Sequence, residues 1–223
     1  MLPKRKTKLR DNVWAIIVGA CFGSTLLVVP SIAQLAENHE CYGEDNERRI
    51  KACSELIETP GLGPDAQSAA YAMRALSHSL KGAYDTAIGD YDAALRLMPD
   101  FAVALNNRAW AYFRSGRGAM GLEDVEKSLA LDPMSAHSYD TRAHIKQWTG
   151  QASAALSDYE RAMSFGGQRM IKLYQCGLMA AGLYKGPADG KSSYELRRAF
   201  EVCVQGTTCD PLPADEECKA ATS

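Results

Sequence analysis

Residues 68–101 read SAAYAMRALSHSLKGAYDTAIGDYDAALRLMPDF and residues 102–135 read AVALNNRAWAYFRSGRGAMGLEDVEKSLALDPMS, and a third row of the same pattern extends to Gly167. Written in rows of about 34 residues, the three rows align with one another. The recurring columns hold an arginine, an alanine, a glycine, an aspartate and a small residue: Arg74, Arg108 and Arg142; Ala75, Ala109 and Ala143; Gly82, Gly116 and Gly150; Asp90, Asp124 and Asp158; Ala94, Ser128 and Ala162. A fixed period of this length indicates stacked supersecondary units.

Each row has helix-ending residues at the positions expected for two helices. In row two a first apolar stripe at helical spacing stops at Gly116, and a second begins near Gly118 and ends before Pro133. Glycine commonly ends a helix and proline cannot extend one. We therefore expect each row to form an αα-hairpin whose apolar face is covered by the neighbouring rows.

These rows resemble tetratricopeptide repeats, whose pattern has small residues at columns 8, 20 and 27, a large apolar or aromatic residue at 24 and proline at 32. The matching residues are Ala75, Ala87, Tyr91, Ala94 and Pro99 in row one, and Ala143, Ala155, Tyr159 and Ala162 in row three. Row two departs at Gly121, Val125 and Ser128. The resemblance implies an all-α solenoid that acts as an interaction scaffold without catalysis of its own.

The remaining chain divides around these rows, which we place at residues 68–101, 102–135 and 136–167. Residues 34–67 are predicted to hold a polar tail and a helix from about Glu47 to Glu58, a half-repeat that caps the N-terminal end of the solenoid. Residues 168–204 are predicted to form a helix pair, and residues 205–223 an acidic tail that contains cysteines.

The first 33 residues have the order of a secretory signal peptide. Basic residues between Lys4 and Arg10 precede an apolar run from Val13 to Val29, and Ser31 and Ala33 are small residues at the positions that a signal peptidase reads. We expect cleavage after Ala33 and a periplasmic or secreted protein. The alternative is an anchor in the inner membrane formed by residues 13–32.

The chain has seven cysteines, and Cys21 lies within the predicted signal peptide. The other six suggest disulfides formed in an oxidising compartment. Six cysteines allow 15 sets of three disulfides, and local spacing favours one of these sets. The predicted pairs are Cys41 with Cys53, Cys176 with Cys203, and Cys209 with Cys218.

The arginine and aspartate columns fall on the first and second helix of each hairpin, where the two helices face each other. We predict the ion pairs Arg74–Asp90, Arg108–Asp124 and Arg142–Asp158. The alternative is that all six side chains are solvated surface charges.

The segment after the repeats resembles the small helical peptidoglycan-binding domain. The residues that carry the resemblance are Gln175, Leu178, Gly182, Leu183, Tyr184, Gly186, Asp189 and Gly190, while Ser193 and Leu196 depart from it. It implies a glycan-binding loop at Tyr184, Gly186, Asp189 and Gly190. The alternative is that this helix pair packs as the C-terminal cap of the solenoid.

The first helices of stacked hairpins line the concave face, so their outward columns give the candidate site. The predicted groove residues are Asn106, Trp110, Phe113, Arg114, His137, Asp140, His144 and Trp148. A groove of this composition suits a protein or peptide partner, unless Trp110 and Trp148 pack between rows as core.

Other functions find little support in the sequence. The net charge is −2, which argues against nucleic acid as a partner. His137, Asp140 and His144 share a helix face but lack the spacing of a metal site. We expect no cofactor, no metal and no enzymatic activity.

Overall fold

The computed structural model describes residues 40–212, so the predicted signal peptide and Cys218 lie outside the described residues. Within them the chain forms eight α-helices, two 3₁₀ turns and no strand. The helices are α1 Asn46–Ile57, α2 Pro64–Leu80, α3 Tyr84–Leu97, α4 Ala102–Arg114, α5 Leu122–Leu131, α6 Ala136–Trp148, α7 Ala152–Ala180 and α8 Tyr194–Cys203. The 3₁₀ turns are Glu40–Tyr42 and Gly118–Gly121. No helix of residues 40–212 is long and apolar enough to cross a bilayer.

The three predicted rows fold as hairpins of α2 with α3, α4 with α5, and α6 with the first half of α7. The glycine that ends the first helix of each row has the left-handed backbone that favours this residue. The φ angles are 77° at Gly82, 76° at Gly116 and 77° at Gly150. Since a residue with a Cβ is strained in that region, the glycine column fixes where each first helix stops.

The small columns allow the two helices of a hairpin to approach closely. Ala75, Ala109 and Ala143 are fully buried. A Cβ added at Gly121 would lie only 2.8 Å from the Cα of Ala109, which is closer than two carbon atoms can pack. Row two therefore carries glycine at this column, where the other rows carry alanine. In this row the second helix begins after the 3₁₀ turn Gly118–Gly121.

The two ends of the solenoid are covered by different structural elements. At the N-terminal end α1 packs on α2, and a disulfide joins Cys41 to Cys53. At the other end α7 bends at Gly167, whose φ of 58° and ψ of −149° are not helical, and then continues to Ala180. This second half of α7 packs against α8, whose buried Phe200 contacts two tyrosines of α7.

The C-terminal disulfide connectivity differs from the predicted one. Cys203 bonds Cys209, not Cys176, so the predicted pairs Cys176–Cys203 and Cys209–Cys218 are wrong. Cys203 is the last residue of α8, and the turn after it brings the two Cα atoms within 5.3 Å. Cys176, on α7, is also disulfide-bonded.

Candidate partner-binding groove

The first helices of the rows form one continuous face. Helix α2 contacts α4, and α4 contacts α6. We call the face lined by these three helices the groove. The sequence placed all eight candidate partner-binding residues on α4 and α6, at positions that the 34-residue period assigns to this face.

An aromatic cluster joins rows two and three in the groove. The ring centroids of Trp110 and Phe113 are 5.3 Å apart, and the His144 ring packs edge-on against Trp110 at 5.2 Å. The exposed Arg114 side chain lies over the Trp110 ring at 5.5 Å and over the Tyr84 ring at 5.9 Å. Trp110 is thus half-buried between rows, while Trp148 is 42% exposed.

A pocket of about 310 Å³ opens beside this cluster. One wall carries Phe113, Arg114 and Trp148 from the ends of α4 and α6. The other wall is Thr207–Asp210, which belongs to the chain after α8. The structure thus brings four of the predicted groove residues, Phe113, Arg114, His144 and Trp148, together around an open cavity.

Asp140 and His144 are buried and not exposed in the groove, which differs from the outward placement that the sequence predicted. Both are at most 5% exposed. Tyr174 of α7 donates a hydrogen bond to Asp140 at 2.5 Å, and Asp210 Oδ1 lies 3.1 Å from His144 Nε2. Tyr174 of α7 covers Asp140, and residues 203–212, which we call the C-terminal segment, fold over His144.

The buried His144 is placed between two carboxylates. Its Nδ1 atom lies 2.8 Å from the backbone oxygen of Asp140, and its Nε2 atom faces Asp210. Burial alone would lower the pKa of His144, but the negative charges of Asp140 and Asp210 together raise it above the usual value. Burial raises the pKa of Asp140, which the charge of His144 partly offsets. The Asp210 carboxyl loses solvent too, yet its hydrogen bond to His144 keeps its pKa below the usual range.

Asn106 and His137 line a second, smaller pocket of about 110 Å³ between rows two and three. Asn106 is 8% exposed, and its Oδ1 atom has no hydrogen-bond partner among residues 40–212. Its amide nitrogen donates to Asn107 at 3.2 Å. His137 is exposed. An unpaired buried acceptor is costly. The Oδ1 atom of Asn106 is therefore a groove acceptor with an unused hydrogen-bonding capacity.

Comparison with known proteins agrees with this architecture. Tetratricopeptide repeat protein 36 from Bos taurus is 33% identical over 104 residues, which are 45% of this chain and 55% of that protein. Serine/threonine-protein phosphatase 5 from Homo sapiens is 35% identical over 77 residues, 34% of this chain and 15% of the phosphatase. The crystal structure of MamA superimposes with a TM-score of 0.50 and 16% identity, covering 80% of this chain and 89% of MamA.

The repeat region is similar to tetratricopeptide-repeat proteins, and the chain shares their all-helical solenoid fold. No family model matches it. It spans about half of the first of these relatives and about 15% of the phosphatase.

The charged columns of the three rows meet in pairs. The distances from the guanidinium Nε and a terminal nitrogen to the two carboxylate oxygens are 2.8 and 2.7 Å for Arg74–Asp90, 2.7 and 2.7 Å for Arg108–Asp124, and 2.8 and 2.7 Å for Arg142–Asp158. All three pairs are therefore bidentate, the strongest geometry for such a contact. The hydrogen bond and charge of Asp124 raise the pKa of Arg108 despite its partial burial.

The loop with the peptidoglycan-binding resemblance satisfies its own polar groups. Gln175 Nε2 lies 3.0 Å from Asp189 Oδ1, and the backbone N–H of Gly190 donates to Gln175 Oε1 at 2.8 Å. Tyr184 is buried, and a Cβ on Gly186 would collide with its hydroxyl. These residues hold the connection between α7 and α8 in place through contacts within the loop itself.

No group of three or more His, Cys, Asp or Glu side chains within residues 40–212 could hold a metal ion. Sequence reasoning assigned no role to Gln147, and it treated Asp210 as part of a tail. Nothing in the repeat period signals that these two residues meet, because residue 210 lies outside the repeats.

Proposed function

We propose that this protein is a non-catalytic tetratricopeptide-repeat scaffold that binds a peptide segment of a partner protein in the groove. The observation that carries the proposal is the 310 Å³ pocket with Phe113, Arg114 and Trp148 on one wall. Aromatic residues and arginine are the side chains that contribute most at protein interfaces. Each of them is at least partly exposed beside an open cavity.

The groove of rows one and two provides the surface along which such a peptide would run. Leu80 and Val103 are each 60% exposed, and they offer apolar contacts on α2 and α4. The unpaired Oδ1 of Asn106 could accept a backbone N–H of the bound segment. A relative from Triticum aestivum that is 29% identical over 82 residues is named Hsp70-Hsp90 organizing protein, which supports a role in binding proteins.

We further propose that the protein acts in the periplasm or outside the cell. The basic, apolar and small-residue order of residues 1–33 supports export. The disulfides Cys41–Cys53 and Cys203–Cys209 are of the kind that persists in oxidising compartments. Sequencing the N-terminus of the protein recovered from the cell envelope tests this, with Gln34 expected first. An intact N-terminus would favour the anchor formed by residues 13–32.

The binding proposal is tested with the variants Arg114→Ala and Trp148→Ala. Matched controls are Arg48→Ala on α1 and Tyr194→Ala on α8, which are exposed residues outside the groove. Partners are captured by crosslinking from an envelope extract with the parent protein as bait. Loss of a central anchor should weaken binding by about 2 kcal/mol or more, which is about 30-fold.

The result expected is that both groove variants lose a partner that both controls retain. Circular dichroism establishes beforehand that each variant is folded. If Arg114→Ala and Trp148→Ala capture every partner of the parent at the same yield, the groove is not the binding site.

A further inference from the structure

The C-terminal segment is held on row three by one side chain above all. The amide nitrogen of Gln147 lies 3.2 Å from the carbonyl oxygen of Cys203, 2.7 Å from that of Gly206 and 2.6 Å from that of Cys209. The oxygen of the same amide accepts from the Tyr159 hydroxyl at 2.8 Å, which fixes its orientation. Gln147 therefore recognises backbone carbonyls of a turn and no particular side chain.

The His144 ring favours a negatively charged group at this site. Its Nδ1 atom is within hydrogen-bond distance of the Asp140 backbone oxygen, an acceptor, so Nδ1 carries a proton. A second proton on Nε2 is then needed to donate to the Asp210 carboxylate at 3.1 Å. In this geometry the His144 ring is an imidazolium, and its charge is shared by the Asp140 carboxylate, 3.4 Å from Nδ1, and the Asp210 carboxylate at Nε2.

Asp210 supplies a carboxylate to His144, and its side chain is the more exposed of the two. The side chain of His144 is 2% exposed and that of Asp210 is 48% exposed. Pro211 is fully buried beside it. The C-terminal segment therefore covers the floor around His144 and Gln147 with a carboxylate, a proline and three carbonyls.

The open pocket adjoins this covered site. Thr207, Thr208 and Asp210 form one wall of the 310 Å³ cavity, opposite Arg114. His144 and Gln147 also line this cavity, so a ligand that enters it lies beside both the floor and the C-terminal segment. Arg114 also lowers the pKa of Asp210 through its charge, so carboxylates are favoured at this end of the groove.

We propose that the floor around His144 and Gln147 is a binding subsite for a turn that carries a carboxylate, and that residues 206–212 are its built-in competitor. This inference rests on the proposed function, since it concerns the same groove. A partner with an acidic turn displaces the C-terminal segment, whereas a partner without one leaves the segment in place. Because the segment is tethered, its effective concentration at the site is high, of the order of millimolar.

The chain itself supplies the probe. The synthetic peptide is residues 203–212 with its disulfide closed and a fluorescent label. The full-length protein is used as the parent and as Asp210→Asn, which weakens the competitor and leaves the floor intact. The matched control is Glu201→Gln, which removes a carboxylate that faces Arg197 and Arg198.

Asp210→Asn is expected to bind the peptide at least about 10-fold more tightly than the parent, since a charge-assisted hydrogen bond of the competitor is lost. Glu201→Gln should bind it as the parent does. A peptide with asparagine at the position of Asp210 should bind at least about 10-fold more weakly. Equal affinity of parent and Asp210→Asn protein, or of the two peptides, overturns the proposal.

A second measurement on the parent protein covers the case in which Asp210→Asn does not fold. Hydrogen exchange of the amides of residues 206–212 should accelerate when the aspartate peptide is added and remain unchanged with the asparagine peptide. Unchanged exchange with both peptides refutes displacement. These readouts need no natural partner, so a failed capture experiment with Arg114→Ala would contradict the proposed function and leave the subsite standing.

Discussion

Removal of the Asp158 carboxylate should destabilise the protein more than removal of any other column aspartate. Asp158 accepts two hydrogen bonds from Arg142, at 2.8 and 2.7 Å, and a third from Lys146 at 2.7 Å. Its side chain is 4% exposed, and those of the two cations are 20% and 18% exposed. Asp158→Ala therefore leaves two largely buried cations without their carboxylate.

The matched variant is Asp124→Ala. Asp124 also accepts two hydrogen bonds from its arginine, but Arg108 keeps a second carboxylate, Asp92, at 2.6 Å. The Asp92 side chain is 41% exposed, so the remaining pair is partly solvated. Breaking a buried pair costs about 3–5 kcal/mol when a charge is left alone. Losing hydrogen bonds to a charge that stays paired costs about 1.5–3 kcal/mol.

We expect Asp158→Ala to lower the free energy of unfolding by about 3–5 kcal/mol and Asp124→Ala by about 1.5–3 kcal/mol. For a domain of this size each kcal/mol lowers the melting temperature by about 2–4 °C. Urea denaturation followed by circular dichroism measures the first quantity and a thermal scan the second. Equal losses in the two variants would refute the reasoning, as would strictly additive effects in the Arg142→Ala and Asp158→Ala double-mutant cycle.

Two further predictions concern backbone packing and pH. Gly121→Ala should lower the free energy of unfolding by about 1–3 kcal/mol by overpacking against Ala109. Gly89→Ala, in open space within α3, should raise the free energy of unfolding by about 0.5–1 kcal/mol. A loss of stability in both variants would contradict this reasoning. The raised pKa of His144 contributes stability below its ordinary value of 6.5 that is lost as the pH rises through the folded value. Between pH 6 and pH 9 the urea midpoint should therefore fall more in the parent than in Asp210→Asn, and parallel profiles would exclude this coupling.

The repeat architecture could be predicted because it depends on contacts at fixed separation. Ala109 meets the residue twelve positions later in the same hairpin, and Arg108 meets the residue sixteen positions later. Both separations recur in every row, so the sequence shows each of them three times. The small columns and the charged columns were visible for that reason, and the structure brings each of the three predicted ion pairs together.

The covered part of the groove could not be predicted in this way. His144 and Asp210 are separated by 66 residues, and Gln147 and Gly206 by 59. Each of these contacts occurs once, between a repeat and a segment that does not repeat. The disulfide prediction failed for a related reason: spacing favoured Cys209 with Cys218, but the direction in which the chain leaves α8 brings Cys209 back to Cys203.

Departures from the repeat pattern can conserve a contact that the pattern does not show. In row one the Ser68 hydroxyl donates to the backbone oxygen of Ala94 at 2.9 Å. In row two the hydroxyl of Ser128, in the column of Ala94, donates at 2.9 Å to the backbone oxygen of Ala102, in the column of Ser68. Both bonds tie the start of a hairpin to the second helix of the same row, and only the donor and acceptor are exchanged. A serine in the small column therefore preserves this link where the first column has lost its hydroxyl, so row two departs from the pattern in residue type while it keeps the geometry.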